Sequence, residues 1–565
     1  MDAQPAERGD SQAGQYRTQE EASRKPTGAL NRADDEGAPL LDNGAGFSRG
    51  GPDANSEHGW EGAADFIGLS WWKTPSILWL LPPFFLFSTA VGGLVVPKLN
   101  LILALVCRRY LNEQSAADPS LIFAPVLLGE ENPQCQKIPE VQSLATDFNL
   151  YLTIIAGTLS AVTTPKLGAL SDRYGRKRLL VISSLGLFIS EIVTILAFKY
   201  PDAISYKWLL GGAVFDGICG SFTCSMALTY AYASDVTPPP KRAVSFGYFH
   251  ACLFSGIALG PLIAALLIKL TGSLITIFYA TLGIHAFFIS FIFLVVPESL
   301  SKKRQSEAQD KYAAENDAAS WDGYTWLWAL KQSNILEPLK ILWPTGSGSS
   351  GHLRANLILL SAVDTTVFGV AMGGITVIVY YTGFQFGWDT ATTSEFVSAV
   401  NICRVTVLLI FLPLLNHLVR LRRARKQLRE FGFILPERNS GSDILDLYVI
   451  RGAIFLEIIG YGGYSAAHTG ALFVASGAVA ALGGIGSPIL QSALTKHVSR
   501  DKVGQLLGAT GLLHALARII CPTIFNLLYS ATVGTLPQTV FVALTCCFCL
   551  AFLASWFIRP DGTVP

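Results

Sequence analysis

Long apolar runs set the limits on what this chain can become. A helix needs about 20 mostly apolar residues to cross a bilayer. Inside lipid the backbone must satisfy its own hydrogen bonds, and an apolar run of that length does so as a helix. About twelve such runs are readable. Their cores lie near 76–98, 148–167, 179–198, 208–230, 244–268, 274–296, 356–381, 393–417, 445–466, 469–493, 504–530 and 536–558. Several contain Pro or Gly, as membrane helices commonly do. The run at 469–493 is rich in Gly and Ala, which lets neighbouring helices approach closely.

Composition agrees. Of 565 residues, 51% are hydrophobic and only 15% are charged, with a mean hydropathy of +0.41. A soluble domain carries about 25% charged residues. The net charge of +1 gives no global attraction to nucleic acid, so no nucleic-acid partner is expected. Residues 1–72 differ from the rest. They are polar and aperiodic, and predict a disordered tail. No basic-then-apolar start with a cleavage site is present, so no signal peptide is expected.

Charge position orients the spans. Lys and Arg accumulate on the cytosolic side of short loops. Arg173, Arg176, Lys177 and Arg178 follow the second run, and Lys241 and Arg242 follow the fourth. Arg420, Arg422, Arg423, Arg425, Lys426 and Arg429 follow the eighth, and Lys496, Arg500 and Lys502 follow the tenth. Both termini are therefore expected in the cytosol. The longest internal break divides the chain into 73–300, a linker at 301–354, 355–559 and a short cytosolic tail at 560–565. The linker turns aromatic at Trp321, Tyr324, Trp326 and Trp328, which suits either an interfacial segment or a cytosolic helix. A shift of about 261 residues places Lys241 on Lys502, Gly247 on Gly508 and Pro261 on Pro522, where a six-plus-six duplication would put them.

Most cysteines lie in apolar runs and read as packing residues. Cys107 and Cys135 instead flank a polar loop on the exocytoplasmic side, where a disulfide and two free thiols are both open.

The loop after the second run, GALSDRYGRKRLL, contains a lone acid among basic residues. Through Gly168, Leu170, Asp172, Arg173, Gly175, Arg176, Lys177 and Leu180 it resembles the signature loop of the major facilitator superfamily. The resemblance covers roughly residues 73 to 559, and the overall texture is similar to fungal members related to the tetracycline-efflux and proton-coupled folate transporter branches. It implies two six-helix bundles and secondary active transport by alternating access, without a cofactor or metal. It also implies a latch closing the cytosolic face, in which Asp172 meets the N-terminus of span eleven near Gly504, Arg173 joins the charge network and Arg176 pairs with Asp235, with Arg242 just beyond. The fifth run resembles the Gly-x-x-x-Gly-Pro motif of drug:proton antiporters through Gly256, Gly260 and Pro261. Ala264 and Ala265 stand where that motif continues to a Gly pair. Export and simple close packing both fit.

Ionisable groups at bilayer depth cost about 2.5–3.5 kcal/mol on insertion scales, so each is a functional candidate. The fold places spans one, four, seven and ten around the cavity. Asp216 in the fourth run and Asp364 in the seventh should face it, with Arg404 and Arg518 near the same depth. Asp216 or Asp364 is expected to carry a proton, while Arg404 and Arg518 balance charge or hold substrate. Glu191, His285, Arg451 and Glu457 are expected to pair between scaffold helices. His250 and His514 suit either packing or a proton relay.

No metalloprotease or Walker motif is present, so an ion gradient is the expected energy source and an enzyme is not expected. The expected partners are a small organic solute, protons and membrane lipids, with a monomer as the working unit. A nutrient sensor built on a transporter scaffold is the alternative. Glu36, Leu40 and Leu41 fit an acidic dileucine sorting signal, which favours a vacuolar or endosomal membrane over the plasma membrane.

Overall fold

The computed structural model describes residues 65–66, 68–118, 123–128, 134–135, 138–320, 337–345, 350–388, 390–431 and 441–560. Glu36, Leu40, Leu41 and the aromatic cluster from Trp321 to Trp328 lie outside the described residues. So does most of the 1–72 tail.

The described residues are helical, with no strands among them. The first set of helices is α1 (Ile77–Ala117), α2 (Pro139–Tyr174), α3 (Arg176–Lys199), α4 (Trp208–Ile218), α5 (Ser221–Val236), α6 (Arg242–Thr271) and α7 (Ile275–Leu294). A polar helix, α8 (Lys302–Ser320), follows. The second set is α9 (Gly351–Phe386), α10 (Thr390–Thr406), α11 (Leu412–Phe431), α12 (Ile444–Ala466), α13 (Gly470–Leu482), α14 (Gly486–Thr495), α15 (Val503–Thr532) and α16 (Thr539–Trp556).

Among the described residues, ten helices are long and apolar enough to cross a membrane. Twelve were expected. The two that fall short of the criterion are α2 and α12, which form long helices all the same. The apolar run of α12 is interrupted by Asp446, Arg451 and Glu457, and α2 is rich in Ser and Thr.

Each set packs internally, and the sets meet through α2 against α15 and through α6 against α10 and α14. Glycines make the closest approaches. A Cβ on Gly168 would sit 2.9 Å from Gly508 Cα, and one on Gly93 would sit 2.9 Å from the Gly260 carbonyl oxygen. The sequence marked Gly256, Gly260 and Pro261; their partner strip, Gly92 and Gly93 on α1, appears only in the structure.

Runs four and ten were expected as continuous helices; the fourth is broken, and the tenth changes helix type for one turn. The fourth passes through Gly220 (φ 88°) and Ser221 (φ 55°) between α4 and α5. Carbonyls at this break, which also accept backbone amides, are met from α2. Ser160 Oγ donates to the Gly220 oxygen at 2.7 Å, and Thr163 Oγ1 donates to the Gly217 oxygen at 2.9 Å. Hydroxyls of this kind let a membrane helix tolerate interruption. The tenth stays helical and tightens to a single 3-10 turn at Gly483–Ile485.

Burial differs between the two ends of the molecule. At the end bearing the basic loops, 13 of the 16 residues of α5 are buried, as are 9 of the 10 in α14. In the companion pieces, α4 buries 5 of 11 and α13 buries 5 of 13. The two sets are therefore pressed together at the basic end and less enclosed at the other. At that other end, Cys107 on α1 is bonded to Cys135 (S–S 2.05 Å). The disulfide packs with Leu111 and Val141.

Candidate functional site

The charges at the basic end converge on Arg176. Gly175, at φ 95°, ends α2 and lets α3 begin at once, which turns Arg176 inward to full burial. Its guanidinium meets Asp172 Oδ1 at 2.5 Å and Asp235 Oδ2 at 2.9 Å. Asp172 in turn accepts the N–H of Gly504 at 3.0 Å and that of Gln505 at 2.8 Å, across the boundary between the sets. These are first-turn amides of α15, where the helix dipole favours an anion. A Cβ on Gly504 would strike both Asp172 and Arg176. Gly168, Asp172, Gly175, Arg176 and Asp235 thus form one contiguous unit. Arg242 sits beside it, donating to the carbonyl oxygens of Thr237 at 3.2 Å and of Thr495 at 3.4 Å, the latter across the boundary.

Arg173 is not in this unit. Its guanidinium lies 3.4 Å over the Tyr312 ring of α8, and Gln309 donates to its carbonyl oxygen at 2.9 Å. One residue's difference along α2 turns it outward, towards the polar helix. The segment Pro297, Glu298 and Ser299 after α7 enters the unit instead. Glu298 accepts the first-turn amides of α3, from Arg176 at 2.8 Å and Lys177 at 3.2 Å. Ser299 Oγ donates to Asp235 Oδ2 at 3.0 Å. Burial pushes the Glu298 carboxyl above a glutamate's ordinary range, and the amide bonds pull it partly back.

A second polar cluster lies at the interface between the sets. Asp364 on α9 is buried, and its Oδ2 meets His514 Nε2 of α15 at 2.8 Å and Gln491 Nε2 of α14 at 2.5 Å. Its Oδ1 has no hydrogen-bond partner among the described residues. From the first set, His250 on α6 lies 2.7 Å from the Tyr230 hydroxyl and 3.2 Å from Ser487 Oγ across the boundary. Gln491, Tyr230 and Ser487 carry no charge, so nothing in their apolar runs marks them as polar partners of Asp364 and His250.

The other mid-depth charges go elsewhere. Arg404 lies 4.0 Å from Glu457 and faces the Phe254 ring at 5.2 Å. This joins a residue read as balancing charge or holding substrate to one read as scaffold. Glu191 pairs with His285 at 2.8 Å between α3 and α7. Arg451 reaches the carbonyl oxygen of Ser555 at 3.2 Å, not an acid. Asp216 stands apart from Asp364, beside the break in the fourth run. Ser221 Oγ donates to its Oδ2 at 2.9 Å. Arg518 lines the same cavity.

Comparison with known proteins bears on all of this. Residues 139–435 match the family model of the Major Facilitator Superfamily. An MFS-type transporter of Aspergillus versicolor, avaJ, is 32% identical over 536 residues, covering 94% of this chain and 96% of the relative. The proton-coupled folate transporter of Rattus norvegicus is 25% identical, covering 70% of this chain and 75% of the relative. Among solved structures, the human organic anion transporter MFSD10 (TETRAN) superposes with a TM-score of 0.57 at 16% identity, covering 85% of this chain and 100% of that one. That superposition bears on the fold alone.

Proposed function

Because the chain belongs to the major facilitator superfamily, we propose that it carries a small organic solute by alternating access and couples that movement to protons. It is an integral multi-pass membrane protein of a transporter family. The finer reading rests on one observation: Asp364 is buried where the two sets of helices meet, bonded to His514 and Gln491, with its second oxygen unpartnered.

A carboxylate at that depth is costly as a lone charge. It becomes tolerable when His514 is protonated or when Asp364 itself takes the proton. The two states therefore differ in how they hold α9, α14 and α15 together. His250 and Tyr230 face this cluster from the first set, so a change in its charge is felt at the closed interface. In this reading Asp364 is the proton carrier, and the Asp172–Arg176–Asp235 unit is the latch that keeps the cytosolic face shut while the opposite face admits solute. The halves at 73–300 and 355–559 then rock about the solute, in a vacuolar, endosomal or plasma membrane, with the monomer sufficient.

The name of the folate transporter records proton coupling in a relative that covers most of this chain. The test is a solute screen in proteoliposomes with an imposed pH gradient. Wild type should accumulate a solute only with the gradient. Asp364→Asn should lose gradient-driven accumulation at least tenfold while keeping solute exchange, and His514→Gln should fall between. Full pH-dependent accumulation in Asp364→Asn would end this reading.

A further inference from the structure

A groove of about 560 Å³ opens at the basic end of the first set, where the segment before α1, the first turn of α3 and the end of α7 meet. Small-molecule sites occupy about 300–1,000 Å³. One wall is apolar. Leu294 closes an apolar span of 20 residues, and it lines the groove with Val295 at 74% and 42% exposure. Trp72 and Trp79 line it too, and Trp71 stacks on Trp79 at 5.7 Å. Tryptophan settles where the apolar core of a bilayer gives way to head groups. The other wall is charged, by Lys73 and Lys177. A turn sets Lys73, its N–H donating to the Ser70 carbonyl oxygen at 2.8 Å. The first turn of α3 sets Lys177. Neither lysine has an ion-pair partner among the described residues.

The described acids around the groove do not cancel these charges. Glu298 acts on Lys177 but does not line the groove. Its two oxygens accept the amides of Arg176 and Lys177. Asp65, ahead of Lys73, is paired with Arg304 at 3.0 Å. The first turns of α1 and α3 carry no acid. Glu298 counted in full still leaves a positive surplus on the two lysines. A soluble anion would use the lysines and leave Leu294 and Val295 bare. A sterol or another neutral lipid would cover those two and leave the lysines unpaired. A zwitterionic head would bring a cation to a positive site. An anionic phospholipid meets both walls, and the cytosolic leaflet, the side that basic loops mark, carries such lipids. We propose that this groove holds an anionic glycerophospholipid, its phosphate on Lys73 and Lys177, its glycerol beside Trp72 and Trp79 and one acyl chain along Leu294 and Val295. The site goes beyond the reading of solute and proton movement and does not depend on it.

The test is native mass spectrometry of the purified full-length protein, titrated with dioleoylphosphatidylglycerol, a monoanion, or with dioleoylphosphatidylcholine, a zwitterion. The first phosphatidylglycerol adduct should form about tenfold more tightly than the first phosphatidylcholine adduct. Lys73→Gln and Lys177→Gln should each weaken phosphatidylglycerol about fivefold, and the double variant should bind the two lipids alike. Lys73 is exposed ahead of α1, so Lys73→Gln serves alone if Lys177→Gln does not fold. Leu294→Ser should weaken both lipids. Lys269→Gln, at the far end of α6, should change neither. Glycerol 3-phosphate carries the phosphate without the chains and should not displace phosphatidylglycerol. Equal affinity for the two lipids in the wild type overturns the proposal, as does a preference that survives loss of the lysines. So does an equal loss in Lys269→Gln, which would make the attraction general to the surface. Unchanged binding in Leu294→Ser removes the acyl chain from the groove, and displacement by glycerol 3-phosphate makes it a site for soluble anions; either result overturns the lipid assignment.

Discussion

In the first set of helices, Arg176 at the start of α3 pairs with Asp235 near the end of α5. In the second, Asp446 in the first turn of α12 pairs with Lys496 just beyond α14, at 2.6 Å. The spacing of about 261 residues that aligns the two halves lays Asp235 on Lys496. Arg176 and Asp446 do not share that spacing, but each stands in the first turn of the third span of its set, so the pairs join matching elements with the charges exchanged.

Helix dipoles show what the exchange means. An acid suits a helix start and a base suits a helix end. Asp446 and Lys496 both follow that rule, and Asp446 also closes a capping box with Asp443. Arg176 and Asp235 both break it. Their pair is held by neighbours: Asp172 and Ser171 on Arg176, Ser299 on Asp235, and Glu298 capping the α3 amides that three successive basic residues would otherwise crowd. One of these neighbours, Asp172, depends on α15 of the other set. A pair stable in its own half is scaffold. A pair that needs the opposite half is sensitive to whether the halves are closed.

The largest expected effect is on the scaffold pair. Lys496→Met leaves Asp446 buried without its cation, and breaking a buried pair in this way costs about 3–5 kcal/mol. Thermal unfolding should fall accordingly, and Asp446→Asn in the same chain should restore most of the loss. Hydrogen exchange at the α15 amides 503–512 should not change before unfolding. Faster exchange there in Lys496→Met would erase the distinction between the pairs.

Asp172→Asn comes next. It leaves one neutral oxygen to accept from the α15 amides, a loss of about 1.5–3 kcal/mol in all, and Arg176 keeps Asp235 as its counter-ion. Exchange at Gly504 and Gln505 should accelerate at least tenfold, with expression and the melting of the remainder little altered. Unchanged exchange at those two amides would show that Asp172 does not hold the halves together.

The smallest effect is at Glu298. Glu298→Gln keeps the shape of the cap and loses its charge, at about 0.3–1 kcal/mol. Burial raises this carboxyl above its ordinary value of 4.5, so the folded chain keeps the proton to a higher pH than the unfolded chain does. Its contribution to stability therefore falls as pH rises through that window. Glu298→Gln should flatten the slope in a melting series across mildly acidic pH. An unaltered slope would remove Glu298 from the account.

Much of the cluster around Arg176 was legible before any coordinates. Gly168 and Gly175 stood where a tight approach and a tight turn were needed, and Asp172 was an acid with no topological use. Arg173 was misassigned, because a motif lists neighbours in the chain and not the side of the helix each one faces. Glu298 and Ser299 lie more than 120 residues from Arg176 in the chain, and only packing brings them to it. Asp364 was found as a buried charge, yet its partners Gln491 and His514 lie 127 and 150 residues away. Hydropathy within a run carries no information about them.

The sequence alone determined that the chain crosses a membrane as helices and which loops share one side. Those outcomes follow from local quantities: apolar length against bilayer thickness, and loop charge against orientation. Tertiary structure alone decided which buried charges meet, that the fourth run breaks, and that the break beside Asp216 opens into a cavity. Each depends on the rotation and depth of one helix against another. Small residues and polar contacts spread over the whole chain set these, and no single segment encodes them.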